Sequence, residues 1–369
     1  MTRVLISGAS VAGPALAYWL LHHGFSPTVV ERAPEPRTGG QAIDIRGAAL
    51  DVVDRMDLLT PLRQARTRMR GMSMLDGDGN EIMRSTEHTV SAGRLDGDDI
   101  EVLREDLADL LYERTRGRAE YLFADSVASL QQGEDGVRVE FDHAAPRTFD
   151  LVVGADGLHS TVRRLAFGPE ADYVHHLGMY VAVFTMENFL GLDDWQVWLR
   201  DGDVGGGVYP ARGNTQLRVN LGFAADSLSF DHRDLDAQRR LLAERLAGLK
   251  WEVPRLLEGM WRASDFYFDA TAQVRMDSWS RGRVTLVGDA GYGPSLLSGQ
   301  GTSLALVGAY VLADELARAG GDHVAAFDRY ERRMRPFVAA NQALATENPG
   351  GPAAQESVDR AKNAITLDA

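Results

Sequence analysis

Apolar and polar positions change period along the chain, and the changes mark its elements. Val4-Leu5-Ile6 is a short apolar run closed by a glycine turn from Gly8 to Gly13; a helical pattern carrying Leu16, Leu20 and Leu21 follows, then a second apolar run from Thr28 to Glu31. Strand, turn, helix and strand in that order predict a βαβ unit. Residues 32 to 48, rich in Pro, Gly and Arg, predict a long ordered loop leading into a helix around Ala49 to Met56. Alternation around Asp76-Gly77-Asp78-Gly79 predicts a hairpin over Gly71 to Met83, because Asp-Gly supplies the positive φ of a tight turn. A helix is expected near Arg104 to Arg116, and strands at Ser126 to Leu130, Val137 to Phe141 and Leu151 to Val153. From Tyr180 to Phe223 the period falls to two, which predicts a mostly antiparallel sheet. Helical periodicity returns at Leu235 to Leu249, a strand at Val284 to Val287, a helix at Ser303 to Arg318, and another helix carrying Val324, Phe327, Tyr330 and Met334. The last twenty residues read as a loosely held tail.

This order predicts an α/β fold: a Rossmann-type nucleotide-binding part, an inserted antiparallel β-sheet part and C-terminal helices, with a cleft between the first two. The expected division assigns residues 1–72, 98–172 and 277–345 to the nucleotide-binding part, 73–97 and 173–276 to the insertion, and 346–369 to the tail. With 369 residues, 39 Lys+Arg against 53 Asp+Glu and a formal charge of −14, the chain's average field repels nucleic acid and anionic membranes. No run approaches the roughly 18 uncharged apolar residues of a membrane span, and the apolar N-terminus lacks a basic leader, so the cytoplasm is the expected compartment. The absence of cysteine removes disulfides, thiolate metal sites and redox-active dithiols, so any redox chemistry must sit in a bound cofactor.

Three stretches carry the candidate chemistry. Gly8-x-Ser10-Val11-Ala12-Gly13 follows a strand and opens a helix; outer glycines permit a tight turn and close packing, and free N–H groups at the helix start attract a pyrophosphate. Glu31 ends the next strand, where a carboxylate accepts hydrogen bonds from an adenosine ribose. Leu151 to Gly154 runs into Asp156-Gly157 and the basic Val162-Arg163, a carboxylate on a turn at a strand's end; a plain turn is the other reading. Arg283 to Leu286 runs into Gly288-Asp289, then Pro294 and Gly299-Gln300-Gly301-Thr302-Ser303 opening an apolar helix, whose N-terminal backbone donors suit the negative pyrimidine edge of a reduced flavin. Together the three favour a dinucleotide with a long polyol, FAD over NAD.

GASVAG, GADGLHSTVRR and GRVTLVGDAGYGPSLLSGQG, with YERRMRP downstream, resemble the class A flavoprotein monooxygenases, the p-hydroxybenzoate hydroxylase-like enzymes that include tetracycline-inactivating ones. The resemblance implies a GR2-like FAD domain. It implies that Gly8 to Gly13 bind the FAD pyrophosphate, that Glu31 with Arg32 beside it meets the ribose, and that Arg104 contacts the cofactor. It further places Val127 at the adenine, gives Asp156 to FAD and the nicotinamide donor, Asp289 to the ribityl chain, and Gly299, Gln300, Gly301 and Thr302 to the loop beneath the isoalloxazine. Pro294 falls near the substrate face, with Asp44 and Arg46 in the loop threaded beside flavin and substrate; a loop salt bridge is their other reading. Phe184, Met186, Trp198, Tyr209, Arg218 and Asn220 lie on insertion strands and are candidate substrate contacts, although alternation alone does not say which face is which. Arg218 and Asn220 share a face. Two departures stand out: Gly291-Tyr292 replaces the usual alanine and histidine after Gly-Asp-Ala, and Ser303 stands where asparagine is usual.

The implied reaction is hydroxylation of an aromatic or polyketide-like small molecule: NADPH or NADH reduces FAD, O2 adds, and the flavin hydroperoxide transfers one oxygen. No side chain serves as nucleophile and no metal is called for; His159, His175 and His176 read as surface imidazoles. The partners expected are the small molecule, O2 and NAD(P)H, for a monomer or homodimer. A flavin-dependent reductase or dehydrogenase, and a flavin-binding protein without redox turnover, are the competing functions.

Overall fold

The computed structural model describes residues 1–91, 93–228, 230–231, 234–348 and 352–368. In chain order the elements are β1 (Arg3–Ser7), α1 (Ala12–His22), β2 (Ser26–Glu31), β3 (Ala42–Ile45), α2 (Ala48–Arg55), α3 (Leu59–Ala65), β4 (Gly71–Leu75), β5 (Glu81–Ser85), β6 (His88–Thr89), β7 (Gly93–Arg94), β8 (Ile100–Leu103), α4 (Arg104–Thr115), β9 (Glu120–Phe123), β10 (Val127–Gly133), β11 (Gly136–Phe141), β12 (Arg147–Phe149), β13 (Leu151–Gly154) and α5 (Thr161–Ala166). The second half continues with β14 (Val174–Glu187), β15 (Trp195–Asp201), β16 (Val204–Ala211), β17 (Gln216–Ala224), α6 (Leu235–Leu246), α7 (Val253–Arg262), β18 (Tyr267–Val274), β19 (Ser280–Arg281), β20 (Val284–Leu286), α8 (Asp289–Tyr292), α9 (Gly301–Arg318), α10 (His323–Glu347) and α11 (Gln355–Lys362).

A six-stranded sheet in the order β19-β20-β13-β1-β2-β9 holds the nucleotide-binding half; its strands are parallel except β19. Because Ser7, Val30, Gly154 and Leu286 stand in register across four parallel strands, the turns that follow them gather at one carboxyl edge. That edge is where open α/β sheets bind ligands. Behind it α9 runs through the core with every residue from Ser303 to Leu316 buried, packed by α1, α2 and α10. A helix apolar all round has to be an internal one.

A seven-stranded sheet, β18-β14-β17-β16-β15-β4-β5, forms the other half. Period-two alternation puts Tyr180, Ala182, Phe184, Leu217, Val219, Leu221 and Phe223 on one face, under Leu242, Leu246, Leu256 and Met260 of α6 and α7. The opposite face, with Thr185, Trp198, Tyr209, Arg218 and Asn220, therefore looks away from those helices. This corrects two sequence expectations, since Phe184 and Met186 belong to the helix-covered core and not to the cleft.

Other expectations also change. The loop at 32–48 contains strand β3, because Ala42 to Ile45 pairs with Ile100 to Leu103. The sheet is antiparallel through β14 to β17, and its one parallel pair among the described residues joins β15 to β4, so a division at residue 72 would cut a strand. The tail is docked rather than loose, with Ala361 and Leu367 buried, Lys362 on Asp99 at 2.9 Å and Arg55 on Asp368 at 2.7 Å.

Tyr292, the residue in place of the usual histidine, is buried; it receives the Tyr330 hydroxyl at 2.9 Å and its own hydroxyl lies where a side chain at Gly308 of α9 would go. Gly308→Ala is therefore expected to lower stability by about 2 kcal/mol through overpacking, read as a lower urea midpoint at unchanged slope. Gly248→Ala, at a position with open space around it, should leave the midpoint unmoved.

Candidate functional site

The glycine turn is dictated by contact. Gly8 has φ +106° and a Cβ there would strike the Ala155 carbonyl, while a Cβ on Gly13 would strike the Gly8 carbonyl, so neither position accepts a side chain. The turn thus presses against the stretch carrying Asp156, and α1 opens without a side-chain cap. Glu31 closes the same corner: its carboxylate accepts the Ala9 N–H at 2.8 Å and the Ala33 N–H at 2.9 Å, while Arg32 beside it is exposed. Ser10 receives a long contact from Arg104 at 3.5 Å, and Arg104 donates to the Gly39 carbonyl at 2.7 Å, which ties α4, the loop before β3 and the glycine turn together. Val127 is buried at the start of β10.

The two strand-end aspartates differ in what holds them. Asp156 is consumed by the chain: Ser7 donates at 3.2 Å, the Val162 N–H at 3.1 Å, and Ser160 donates as well. Burial raises its pKa and those donors oppose the rise. Asp289, at the start of α8, has no hydrogen-bond donor among the described residues; it is open to solvent yet walled in by protein, and this enclosure alone pushes its carboxyl up. Close by, α9 begins at Gly301 without a side-chain cap, Gly299 adopts φ +64°, and Gln300 is wholly buried with neither amide atom paired among the described residues. Thr302 follows in the first turn. An unpaired carboxylate, an uncapped helix and an orphaned amide around one cleft are groups arranged for a ligand that both donates and accepts hydrogen bonds, and they fit the ribityl chain and pyrimidine edge of a flavin.

Arg163 braces the two aspartate turns from inside. Fully buried, it donates to the Ala290 carbonyl at 2.9 Å and to the Leu158 carbonyl at 2.5 Å. Asp44 and Arg46 do form a salt bridge, at 2.8 Å and nearly buried, and burial lifts Asp44 to about 7 despite Arg46. Their loop is nonetheless at the site, because the Arg46 N–H donates to Ser303 at 3.0 Å; the serine in place of asparagine thus secures the loop to α9. Pro294 is buried, with its carbonyl accepting from Gln273.

Over the cleft the sheet face is polar and internally bonded. Tyr209 accepts the Ala42 N–H at 2.7 Å and is hydrogen-bonded to Asn220; Trp198 donates to Gln196 at 2.8 Å. Arg218 is buried on Glu105 at 2.6 Å, which also takes Arg212 at 2.6 Å and the Gly39 N–H at 2.5 Å. Burial opposes ionisation of Glu105, but these donors hold its pKa below the usual value.

The sequence reading missed Glu105, Asp265, Tyr267 and Asp269. The signal for the last three was present: Asp265, Tyr267, Asp269, Thr271 and Gln273 alternate with apolar residues, a polar stripe along one strand face. His159 is also more than a surface imidazole, since its ring nitrogens lie 2.9 Å from Glu170 and 2.9 Å from Asp269. Burial alone would lower its pKa, yet these two carboxylates raise it to about 10.

Glu105→Ala leaves Arg218 buried and unpaired and is expected to cost about 3–5 kcal/mol in urea unfolding; Arg218→Ala in the same background should add less than it costs alone. Because His159 is raised in the folded state, its contribution is complete below about pH 6.5 and vanishes as pH climbs through about 10. Thermal midpoints of the parent protein should therefore fall between pH 7 and 10 more steeply than those of His159→Leu.

The family model described as FAD binding domain matches residues 1–345. The chain is 53% identical over 369 residues to an uncharacterized protein of Mycobacterium tuberculosis, covering 100% of this chain and 99% of the relative. It is 42% identical over 342 residues to a flavin-dependent monooxygenase of an unknown prokaryotic organism, covering 93% and 88%. The crystal structure of tetracycline destructase Tet(55) superposes with a TM-score of 0.88 at 38% identity, covering 100% of this chain and 98% of that one. With its first strand, its two aspartate turns and its uncapped core helix all inside the matched span, the chain belongs to the FAD-binding family of flavin-dependent monooxygenases, which work with FAD and take NAD(P)H as their typical reductant.

Proposed function

We propose that this monooxygenase hydroxylates an aromatic or polyketide-like small molecule in the cleft between the two sheets. The carrying observation is the meeting of two parts: Asp289, unpaired among the described residues, with the uncapped start of α9 on one side, and on the other the polar face of the seven-stranded sheet, where Tyr209 accepts the N–H of Ala42 in the strand whose Arg46 end is secured to Ser303. The likeness to a tetracycline destructase supports a fused-ring, polyketide-like substrate.

In this reading Gly8, Ser10, Val11, Ala12 and Gly13 offer backbone N–H groups to the pyrophosphate. Glu31 and Arg32 take the adenosine ribose, Val127 the adenine, and Arg104 the phosphates' side of the loop. Asp289 accepts from the ribityl hydroxyls, and Gly299 to Thr302 offer donors and the helix dipole to the ring. Asp156 holds the second turn in place through Ser7 and Ser160. Flavin, when bound, supplies the oxygen-transfer chemistry after reduction by NADPH or NADH. The chain's own residues exclude water and orient the substrate against the ring; Asp44 and Arg46, secured to Ser303, and Pro294 border that place. The cofactor half thus corresponds to the six-stranded sheet with α9 and α10, and the substrate half to the seven-stranded sheet.

The test is anaerobic reduction of the purified yellow protein by NAD(P)H with a panel of phenols and polyketides, followed by mass measurement of product formed under 18O2. One labelled oxygen in a product is expected; substrate reduction without label would instead mean a reductase. Asp289→Ala should keep the fold by circular dichroism and weaken FAD binding at least tenfold, since a hydrogen-bonded charged acceptor contributes about 1.5–3 kcal/mol.

A further inference from the structure

Along β18 the odd-numbered residues face the nucleotide-binding half: Gln273 donates to the Pro294 carbonyl at 3.1 Å, and Asp269 meets His159 from the second aspartate turn. On the same face Tyr267 is 42% exposed, and two residues before it Asp265 abuts Gly39 of the loop that Arg104 ties to the glycine turn, while Arg37 and Asp289 are near enough to act on its phenol electrostatically. Tyr267 therefore stands beside the turns of the nucleotide-binding half.

The hydrogen bonds leave its phenol only one role. Asp269 accepts three bonds: Oδ2 takes the Tyr267 hydroxyl at 2.9 Å and His159 Nε2 at 2.9 Å, and Oδ1 takes the Ala270 N–H at 2.8 Å. An imidazole with a carboxylate on each nitrogen donates from both and so carries a proton on each, and an ionised carboxylate only accepts. Burial works against the charge on Asp269, but its donors hold its pKa below the usual value. The single hydrogen of Tyr267 is consequently committed to Asp269. Its oxygen keeps lone pairs and nothing to donate.

We propose that Tyr267 is a hydrogen-bond-accepting contact for a hydroxyl-bearing chain in the cleft, with His159 acting through Asp269 as the positioning residue that fixes this polarity. The inference rests on the flavin reading above and extends it to a residue outside the three motif turns. Asp289 and Tyr267 both offer acceptors, which suit the hydroxyls of a polyol. On the flavin reading two polyols meet that description, the ribityl chain of the flavin and the ribose of the nicotinamide reductant.

Tyr267→Phe removes the oxygen and keeps the ring. The FAD dissociation constant of the apoprotein, by flavin fluorescence, and the NAD(P)H concentration for half-maximal anaerobic flavin reduction by the holoprotein are measured for this variant, His159→Leu and His159→Arg. Tyr267→Phe is expected to weaken one constant about fivefold, the size of one neutral hydrogen bond. A change in FAD binding assigns the ribityl chain, and a change confined to the reductant assigns its ribose. His159→Leu should move the same constant in the same direction, while His159→Arg, which keeps cationic donors toward Asp269 and Glu170, should restore it. Lower thermal stability in Tyr267→Phe and His159→Leu with both constants unmoved overturns the proposal, because a purely structural link predicts that result. If the parent protein takes up no FAD, the flavin reading itself falls; if it binds FAD normally and the variants match it, only this inference does.

Discussion

Helix α9 sets the geometry of the whole cleft, because it is enclosed on all sides from Ser303 to Leu316 and yet opens its first turn at Gly301 into the site. A buried cylinder of that kind cannot slide without breaking contacts to α1, α2 and α10 at once. A further close contact, Gly308 against Tyr292 of α8, fixes the turn after Asp289 to the middle of the helix. The helix dipole, the unpaired Asp289 and the buried Gln300 are thereby held in one place by apolar packing, before any ligand contributes.

The polar half depends on a different device. Charges that leave water must find partners, and the cleft face of the seven-stranded sheet meets this demand internally: Arg218 and Arg212 share Glu105, Thr185 shares Asp265 with its own backbone N–H, and His159 is held between Asp269 and Glu170. Glu105 opens α4 immediately after Arg104, which holds the loop at Gly39. Two adjacent residues thus fasten the loop, Arg104 toward the glycine turn and Glu105 toward Arg218 of the seven-stranded sheet.

Much of the cofactor side could be read from the chain, since it is written in local rules. Glycine turns that tolerate no Cβ, a strand ending in Glu31 and apolar runs ending in aspartate each carry their meaning within a dozen residues. The substrate side was less legible, because a strand's alternation tells that two faces exist and is silent on which one is covered. Phe184 and Met186 went to the helix-covered face for that reason, while the stripe from Asp265 to Gln273 passed without notice although its period was plain. Tyr292 and Ser303, departures from the family pattern in sequence, prove to be accommodated by Gly308 and by the Arg46 N–H, the latter 257 residues away.

By itself, then, the amino-acid order determined the βαβ start, the three motif turns, the family and the kind of cofactor, all of which depend on backbone conformations and hydrogen-bonding groups that neighbouring residues specify. Tertiary structure alone decided which carboxylate stays unpaired, Asp289 and not Asp156, that the C-terminal helix docks, and that His159 reaches Asp269 across 110 positions. Those outcomes turn on which distant donors arrive within about 3 Å, and no local pattern encodes a distance between strands that the chain joins only by folding.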